Sequence, residues 1–326
     1  MKPSKLQLAN LPTPILKAET ISKELKCNLF IKRDDYTGIE ISGNKVRKLE
    51  YALKMALDLK CNRIITTGGI QSNHCRATTA AATKLGLSTT LLLRVNETPS
   101  IEGNYLLNKI YGAEIVYCTP DEYKTSRDEI MKKLAQEWES RGDRCFIIPE
   151  GASFGIGSMG YFSAMKEIAM QEREMGIIFN SIIVATGSGG TYSGLALANE
   201  YYNLNKRIVG FAVCDNTEYF TNRIDIINRE SYEYLENPVE VPKDKIEIID
   251  TYKGIGYALS TRDELDFIKF FARKESIILD PVYTAKAMLG LHTEISAGKF
   301  NKEGNTLFIH TGGLFGVFPK QSEFIF

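Results

Sequence analysis

The run Ser42-Gly43-Asn44-Lys45-Val46-Arg47-Lys48-Leu49-Glu50 places a lysine where a glycine turn gives way to a helix. An amine there can attack an aldehyde once its pKa falls, and Lys48, one turn on along the same face, would lower the ammonium pKa of Lys45. Lys48 also reads as an ordinary solvated residue or as a ligand for a substrate carboxylate, and an arbitrary lysine is most often an exposed helix residue. Far along the chain, Thr186-Gly187-Ser188-Gly189-Gly190-Thr191 separates an apolar strand from a helix. Its glycines let backbone N–H groups approach an anion at the helix's positive end, and Ser188 and Thr191 can add hydroxyl donors. An imine-forming lysine plus a separate phosphate cradle is what pyridoxal 5'-phosphate requires. A dinucleotide fingerprint competes: Gly187 and Gly189 fit it, Tyr192 occupies the third glycine position, and Asp215 could imitate a ribose-binding acid. An NAD-dependent dehydrogenase therefore stays open at this level.

Two further segments carry polar groups at element ends. In Thr67-Gly68-Gly69-Ile70-Gln71-Ser72-Asn73-His74, Ser72 is the natural N-cap of the alanine-rich helix that follows. Gln71, Ser72, Asn73 and His74 together crowd that helix start with donors, a setting suited to an α-carboxylate. Near the C-terminus, Asp280-Pro281-Val282-Tyr283-Thr284-Ala285-Lys286 sets Tyr283 and Thr284 before an apolar helix, and Gly254-Ile255-Gly256-Tyr257 sets a second tyrosine after a glycine turn. His310-Thr311-Gly312-Gly313 ends a strand, where open α/β sheets put their ligands. Taken singly, both tyrosines read as packing residues.

The elements that must position these groups alternate. Strands are expected at 29–32, 63–66, 89–93, 114–117, 145–148, 181–185, 208–213 and 306–310. Several are β-branched and apolar throughout, as in sheets covered on both faces. Helices are expected at 45–59, 72–85, 126–139, 159–171 and 192–201, which makes an α/β fold of parallel, twisted sheets with right-handed crossovers. Gly151–Gly157 is the most flexible stretch by composition and reads as a domain crossing, with a substrate loop as the alternative; 220–252 is expected to be an irregular surface excursion.

With 326 residues, two domains are the better prior. Lys plus Arg and Asp plus Glu number 40 each, so general attraction to nucleic acid or anionic membranes has no support. The first residues lack a signal-peptide stretch, and no run approaches the roughly 18 apolar residues of a membrane span. The six cysteines are scattered without a Cys-x-x-Cys, and His74, His292 and His310 share no ligand spacing, so no metal site and a cytoplasmic location are expected.

In combination the segments are more specific. SGNKVRKLEY, TTGGIQSNHCR, ATGSGGTYSG, LDPVYTAKAMLGL and FIHTGG occur in the order of one family, and from about Leu11 to Val317 the chain resembles the D-cysteine desulfhydrase/1-aminocyclopropane-1-carboxylate deaminase family of pyridoxal-phosphate enzymes. The resemblance implies a tryptophan synthase β-subunit-like fold, fold type II, with the cofactor between two α/β domains and a homodimer. The expected division is 1–47 with 158–326 as a larger, cofactor-binding domain and 48–157 as a smaller one.

By position, Lys45 would be the Schiff-base lysine, Asn73 would bond the cofactor's phenolic oxygen, and Gly187, Ser188, Gly189, Gly190 and Thr191 would hold its phosphate. Ser72, Asn73 and His74 would take the substrate carboxylate, Tyr257 and Tyr283 would flank the reacting carbon, and Thr311 would lie near the pyridine nitrogen. The deaminases carry a glutamate directly after the second tyrosine; here that residue is Thr284, which gives a neutral hydrogen bond and a weaker electron sink. The resemblance thus implies α,β-elimination from D-cysteine to pyruvate, hydrogen sulfide and ammonia. The alternatives are a cyclopropane deaminase, a lyase for another β-substituted amino acid such as cysteate, and an amino-acid-binding module without chemistry.

Overall fold

The computed structural model describes residues 3–326. Its strands are β1 (Ile15–Lys17), β2 (Asn28–Lys32), β3 (Arg63–Gly69), β4 (Ser88–Arg94), β5 (Glu114–Cys118), β6 (Cys145–Ile147), β7 (Phe179–Thr186), β8 (Arg207–Ala212), β9 (Glu247–Ile249) and β10 (Asn305–Ile309). They form a six-stranded sheet, β1-β2-β10-β7-β8-β9, and a four-stranded sheet, β5-β4-β3-β6. All neighbours are parallel except β1 and β2, which are antiparallel.

Alternation along β7 explains how the larger sheet is covered. Ile182 and Val184 face the helices Gly155–Met175 and Gly190–Tyr201 with Met165, Ile168 and Leu195, while Ile183 and Ala185 face Arg262–Glu275 and Thr284–Ser296 with Phe271, Met288 and Leu291. A strand buried on both sides must be apolar throughout, which is why its sequence shows no polar alternation. In the smaller sheet Ile64 packs with Leu49, Leu53, Ala77 and Ala81 of helices Asn44–Asp58 and Asn73–Lys84, and Ile65 packs with Met131 and Leu134 of Arg127–Glu139.

Two expectations need correction. The stretch after residue 216 is not irregular at its start: Thr217–Ser231 is a helix that buries Phe220, Ile224, Ile227 and Ser231 on one face, with Asn216 accepting from Tyr219 N as its cap. The apolar spacing of 4 and 3 was present, and the surrounding charges obscured it. The glycines at 151–157, read as looseness, serve close approach. The helix begins at Gly155 rather than near Met159, and a Cβ on Gly157 would lie 2.1 Å from the Ala152 carbonyl oxygen. Further along that helix, a Cβ on Gly160 would lie 2.5 Å from the backbone of Arg47, so the two helices touch at their main chains. That contact holds the helix that carries Lys45.

Candidate active site

The C-terminal ends of β3, β7 and β10 open onto one cleft between the two sheets, as expected for open parallel sheets. Asn44, Lys45, Ser72, Asn73, Glu150, Gly187, Tyr257, Tyr283 and Thr311 are among its lining, and the cleft with its mouth encloses ≈ 640 Å³.

Lys45 is placed by its neighbours on both sides. Gly43 has φ +81, and a Cβ there would lie 2.6 Å from the Thr311 carbonyl oxygen, so only glycine suits that turn. The Asn44 backbone N–H then donates to the same carbonyl at 3.0 Å, tying the helix start to the end of β10. Lys45 Nζ donates to Asn44 Oδ1 at 2.9 Å, and Asn44 Nδ2 donates to Thr191 Oγ1 at 3.0 Å. Asn44 thus bridges the lysine and the glycine loop. Burial lowers the Lys45 amine from 10.5 to about 8, against the opposing pull of Asp280 and Glu150; Arg76 adds to the lowering. Burial, rather than the Lys48 charge expected from sequence, is the main cause.

Lys48 is not a solvated helix lysine. It is fully buried and donates to the Gly151 carbonyl at 3.0 Å and to Ser153 Oγ at 3.1 Å, under the glycine loop. Burial, then Lys45 and Arg223, push its pKa well down.

The loop itself is short. Gly187 follows β7, Gly189 is left-handed at φ +88, and the helix starts at Gly190, two residues earlier than the sequence suggested. Ser153 Oγ accepts from the Gly190 N–H at 3.2 Å and pairs with Ser188 Oγ at 2.7 Å. A Cβ on Gly190 would meet Ser153 Oγ at 2.7 Å and Lys48 Nζ at 2.8 Å. A concavity with converging N–H and hydroxyl donors above the buried Lys48 amine fits a phosphate.

Ser72 caps the helix Asn73–Lys84, accepting from the Cys75 N–H at 3.2 Å, and Asn73 Oδ1 accepts from Asn104 Nδ2 at 2.9 Å. His74, counted with them from sequence, is engaged elsewhere. Thr66 gives its hydroxyl proton to the Ile148 carbonyl, so His74 Nε2–H donates to Thr66 Oγ1 at 2.8 Å while Nδ1 faces Thr78 Oγ1 at 3.4 Å. Burial, with Lys45 and Lys48 nearby, keeps the ring neutral.

Tyr257 and Tyr283 meet with their hydroxyls 2.5 Å apart and rings edge to face, and Lys45 Nζ lies 5.6 Å from the Tyr283 ring centre. Burial raises both phenol pKa values; Glu150 adds to each, and Tyr257 adds to Tyr283. Both therefore stay protonated near neutral pH. Thr284 is fully buried against Asp280: its Oγ1 lies 2.7 Å from Asp280 Oδ1 and accepts from the Asp280 N–H. The same carboxylate takes the N–H groups of Val282, Tyr283 and Thr284 at 3.0, 3.0 and 2.7 Å.

Asp280-Pro281 is a turn signal in the sequence, but the four contacts that make Asp280 the organiser of this turn show only in the fold. Glu150 was missed. It is the carboxylate that lines the cleft, it takes a 2.9 Å bond from Arg127 Nη1, and nothing in its local pattern announces it.

A family model described as "Pyridoxal-phosphate dependent enzyme" matches residues 6–312. The chain belongs to that family of pyridoxal-phosphate-dependent enzymes. It is 39% identical to the Bifunctional D-cysteine desulfhydrase/1-aminocyclopropane-1-carboxylate deaminase, mitochondrial, of Arabidopsis thaliana, across 97% of this chain and 80% of the relative. It is 36% identical to a D-cysteine desulfhydrase of Salmonella paratyphi B, covering 96% and 95% of the two chains. A crystal structure of an ACC deaminase homologue superposes with a TM-score of 0.90 at 39% identity, covering 98% of this chain and 95% of the other. The fold is that of the fold type II enzymes, and the cofactor is pyridoxal phosphate. The dinucleotide reading of the glycine loop falls with this match, as does the reading of the chain as a binding module without chemistry. Among the described residues no helix is long and apolar enough to cross a membrane.

Proposed function

We propose that this enzyme eliminates a β-substituent from a small amino acid, with D-cysteine and water giving pyruvate, hydrogen sulfide and ammonia. The observation that carries the reading is the amine of Lys45, lowered to about 8 by burial and set beside the glycine loop and the tyrosine pair. Backbone N–H groups of Gly187 to Thr191, with the Ser188 and Thr191 hydroxyls, would hold the cofactor phosphate; Lys45 would hold its aldehyde, Asn73 its phenolic oxygen and Thr311 its ring nitrogen, with Thr284 behind them on Asp280. Once bound, the cofactor supplies the electron sink that makes the substrate α-proton acidic.

Every other step falls to this chain's side chains. Ser72, Asn73 and the helix start they open take the α-carboxylate, while His74 fixes the floor through its threonine bonds. Because both phenols stay protonated, the tyrosines are donors, and Lys45 is the group that takes the α-proton. Tyr257 and Tyr283 are placed to give a proton to the departing sulfur. Asp280 holds the turn that presents Tyr283.

Thr284, where a deaminase would carry a glutamate, favours D-cysteine over 1-aminocyclopropane-1-carboxylate. The two are separated by assaying pyruvate against 2-oxobutyrate across both enantiomers of a β-substituted panel, cysteate included. Pyruvate and sulfide from D-cysteine are expected; 2-oxobutyrate as the faster product would reverse the assignment. Each sheet carries its own core, which supports domains at 1–47 with 158–326 and at 48–157. Six free cysteines are consistent with the cytoplasm, and the homodimer rests on the family resemblance.

A further inference from the structure

Past the tyrosine pair lies a second, solvent-connected cavity that shares Ser72, Tyr257 and Tyr283 with the first and encloses ≈ 1380 Å³ with its mouth. Arg94, the last residue of β4, lines it. Its guanidinium carbon is 5.5 Å from the ring centre of Tyr257 and 4.9 Å from that of Tyr123. A Cβ on Gly69, three residues before Ser72, would lie 3.8 Å from both Arg94 Nη2 and Tyr257 Cε1.

Arg47, Arg63, Arg127 and Arg207 all close ion pairs, whereas the side chain of Arg94 has neither an ion pair nor a hydrogen bond among the described residues. The acids around the cavity leave it free. Glu323 is held by Lys320 at 2.8 Å, Glu97 is exposed at the rim, and Glu102 makes no bond to Arg94. A half-buried guanidinium within cation–π distance of two phenol rings is already partly dehydrated and oriented, so it meets an anion at reduced cost.

We infer that Arg94 receives the β-substituent of the substrate and selects substituents that are anionic when bound, thiolate or sulfonate, over neutral ones. The inference rests on the elimination reading above. With the α-carboxylate at Ser72 and the reacting carbon beside Tyr257, Arg94 stands next to the Tyr257 ring in the adjoining cavity. As the α-proton passes to Lys45, its electron pair forms the carbon–carbon double bond and the carbon–sulfur pair leaves on sulfur, a thiolate taking a proton from the tyrosine pair as it departs as hydrosulfide and a sulfonate departing as sulfite. Arg94 supplies the counter-charge.

The test compares holoenzymes of wild type, Arg94→Gln and Arg94→Lys on D-cysteine, cysteate and β-chloroalanine, with cofactor absorbance and thermal midpoint as folding checks. For Arg94→Gln, kcat/KM on the better of the two sulfur substrates should fall on the order of a hundredfold, and on β-chloroalanine by less than about threefold. Arg94→Lys should recover part of the difference, and its ratio of sulfur substrate to β-chloroalanine gives the same reading should the glutamine variant not fold. Equal losses on all substrates would place Arg94 on the α-carboxylate instead and overturn the inference, as would an unchanged ratio in both variants. If wild type is yellow and consumes β-chloroalanine but neither sulfur substrate, the inference alone fails; if it is colourless or releases no keto acid from any of them, the elimination reading fails with it.

Discussion

At position 45 the chemistry depends on the environment more than on the residue type. Lysines are among the commonest surface residues, and what distinguishes this one is the Asn44 bridge to Thr191 and the burial that brings the amine to about 8. The sign is straightforward: a lowered pKa means the neutral amine grows as pH rises toward 8 and saturates above it. The rate at which apoenzyme turns yellow on adding pyridoxal phosphate should therefore climb roughly tenfold per pH unit below 8 and then level. A stopped-flow pH series would show it, and a rise continuing to pH 10 would mean the amine is not lowered. Lys45→Ala should lose the colour and at least about a thousandfold in turnover, within the range for losing a positioned acid or base. Tyr283→Phe should keep the colour while keto-acid release slows by about a hundredfold or more, measured under saturating substrate.

At the scale of elements, a buried ionic cluster sets the helix that carries Lys45. Two residues after the lysine, Arg47 bonds Asp34 at 2.8 and 2.9 Å and Glu167 at 2.8 and 2.9 Å. Asp34 also accepts from Tyr161 at 2.5 Å and Thr13 at 2.7 Å, and Lys32 reaches Glu167 at 2.7 Å. The cluster ties Asn44–Asp58 to the end of β2 and to Gly155–Met175. Removing one partner leaves an unpaired buried charge, so Arg47→Ala should cost about 3–5 kcal/mol in urea or guanidinium unfolding. Arg47 and Lys32 hold the Asp34 carboxyl down at about 2 despite its burial. A depressed acid contributes stability above its unfolded value near 3.8 and loses it as pH falls toward 2, a contribution of about 2 kcal/mol. Acid unfolding of wild type should steepen in that window, and Asp34→Asn should flatten it.

Most elements were legible from the apolar runs because both faces of each sheet are covered, as β7 shows. What escaped was β1 and β9, three residues each and too short to form a pattern, the helix at 217–231, where charges masked a regular apolar stripe, and the helices Glu19–Leu25, Gly103–Ile110, Pro120–Thr125 and Arg262–Glu275.

For the molecule as a whole, the site exists only where two sheets meet. Lys45, Ser72, the glycine loop and the tyrosines could be nominated from sequence because each sits at an element end beside glycine or a turn residue. Lys48 was misjudged, and Glu150, Ser153, Asn104 and Arg94 were invisible, because their parts depend on contacts between distant segments. Gly190 is one such contact. Gly190→Ala should push against Ser153 Oγ and Lys48 Nζ and weaken cofactor binding by tenfold or more, read from a colour titration. Cofactor at about a hundred times its Kd should stabilise wild type by about 2.7 kcal/mol and raise the thermal midpoint.

The most direct measurement is chemical trapping: the yellow protein is reduced with borohydride, digested and mapped by mass spectrometry. A phosphopyridoxyl group on the peptide containing Lys45, lost in Lys45→Ala, is the predicted result. Labelling at another lysine, or none after incubation with pyridoxal phosphate, would contradict the account.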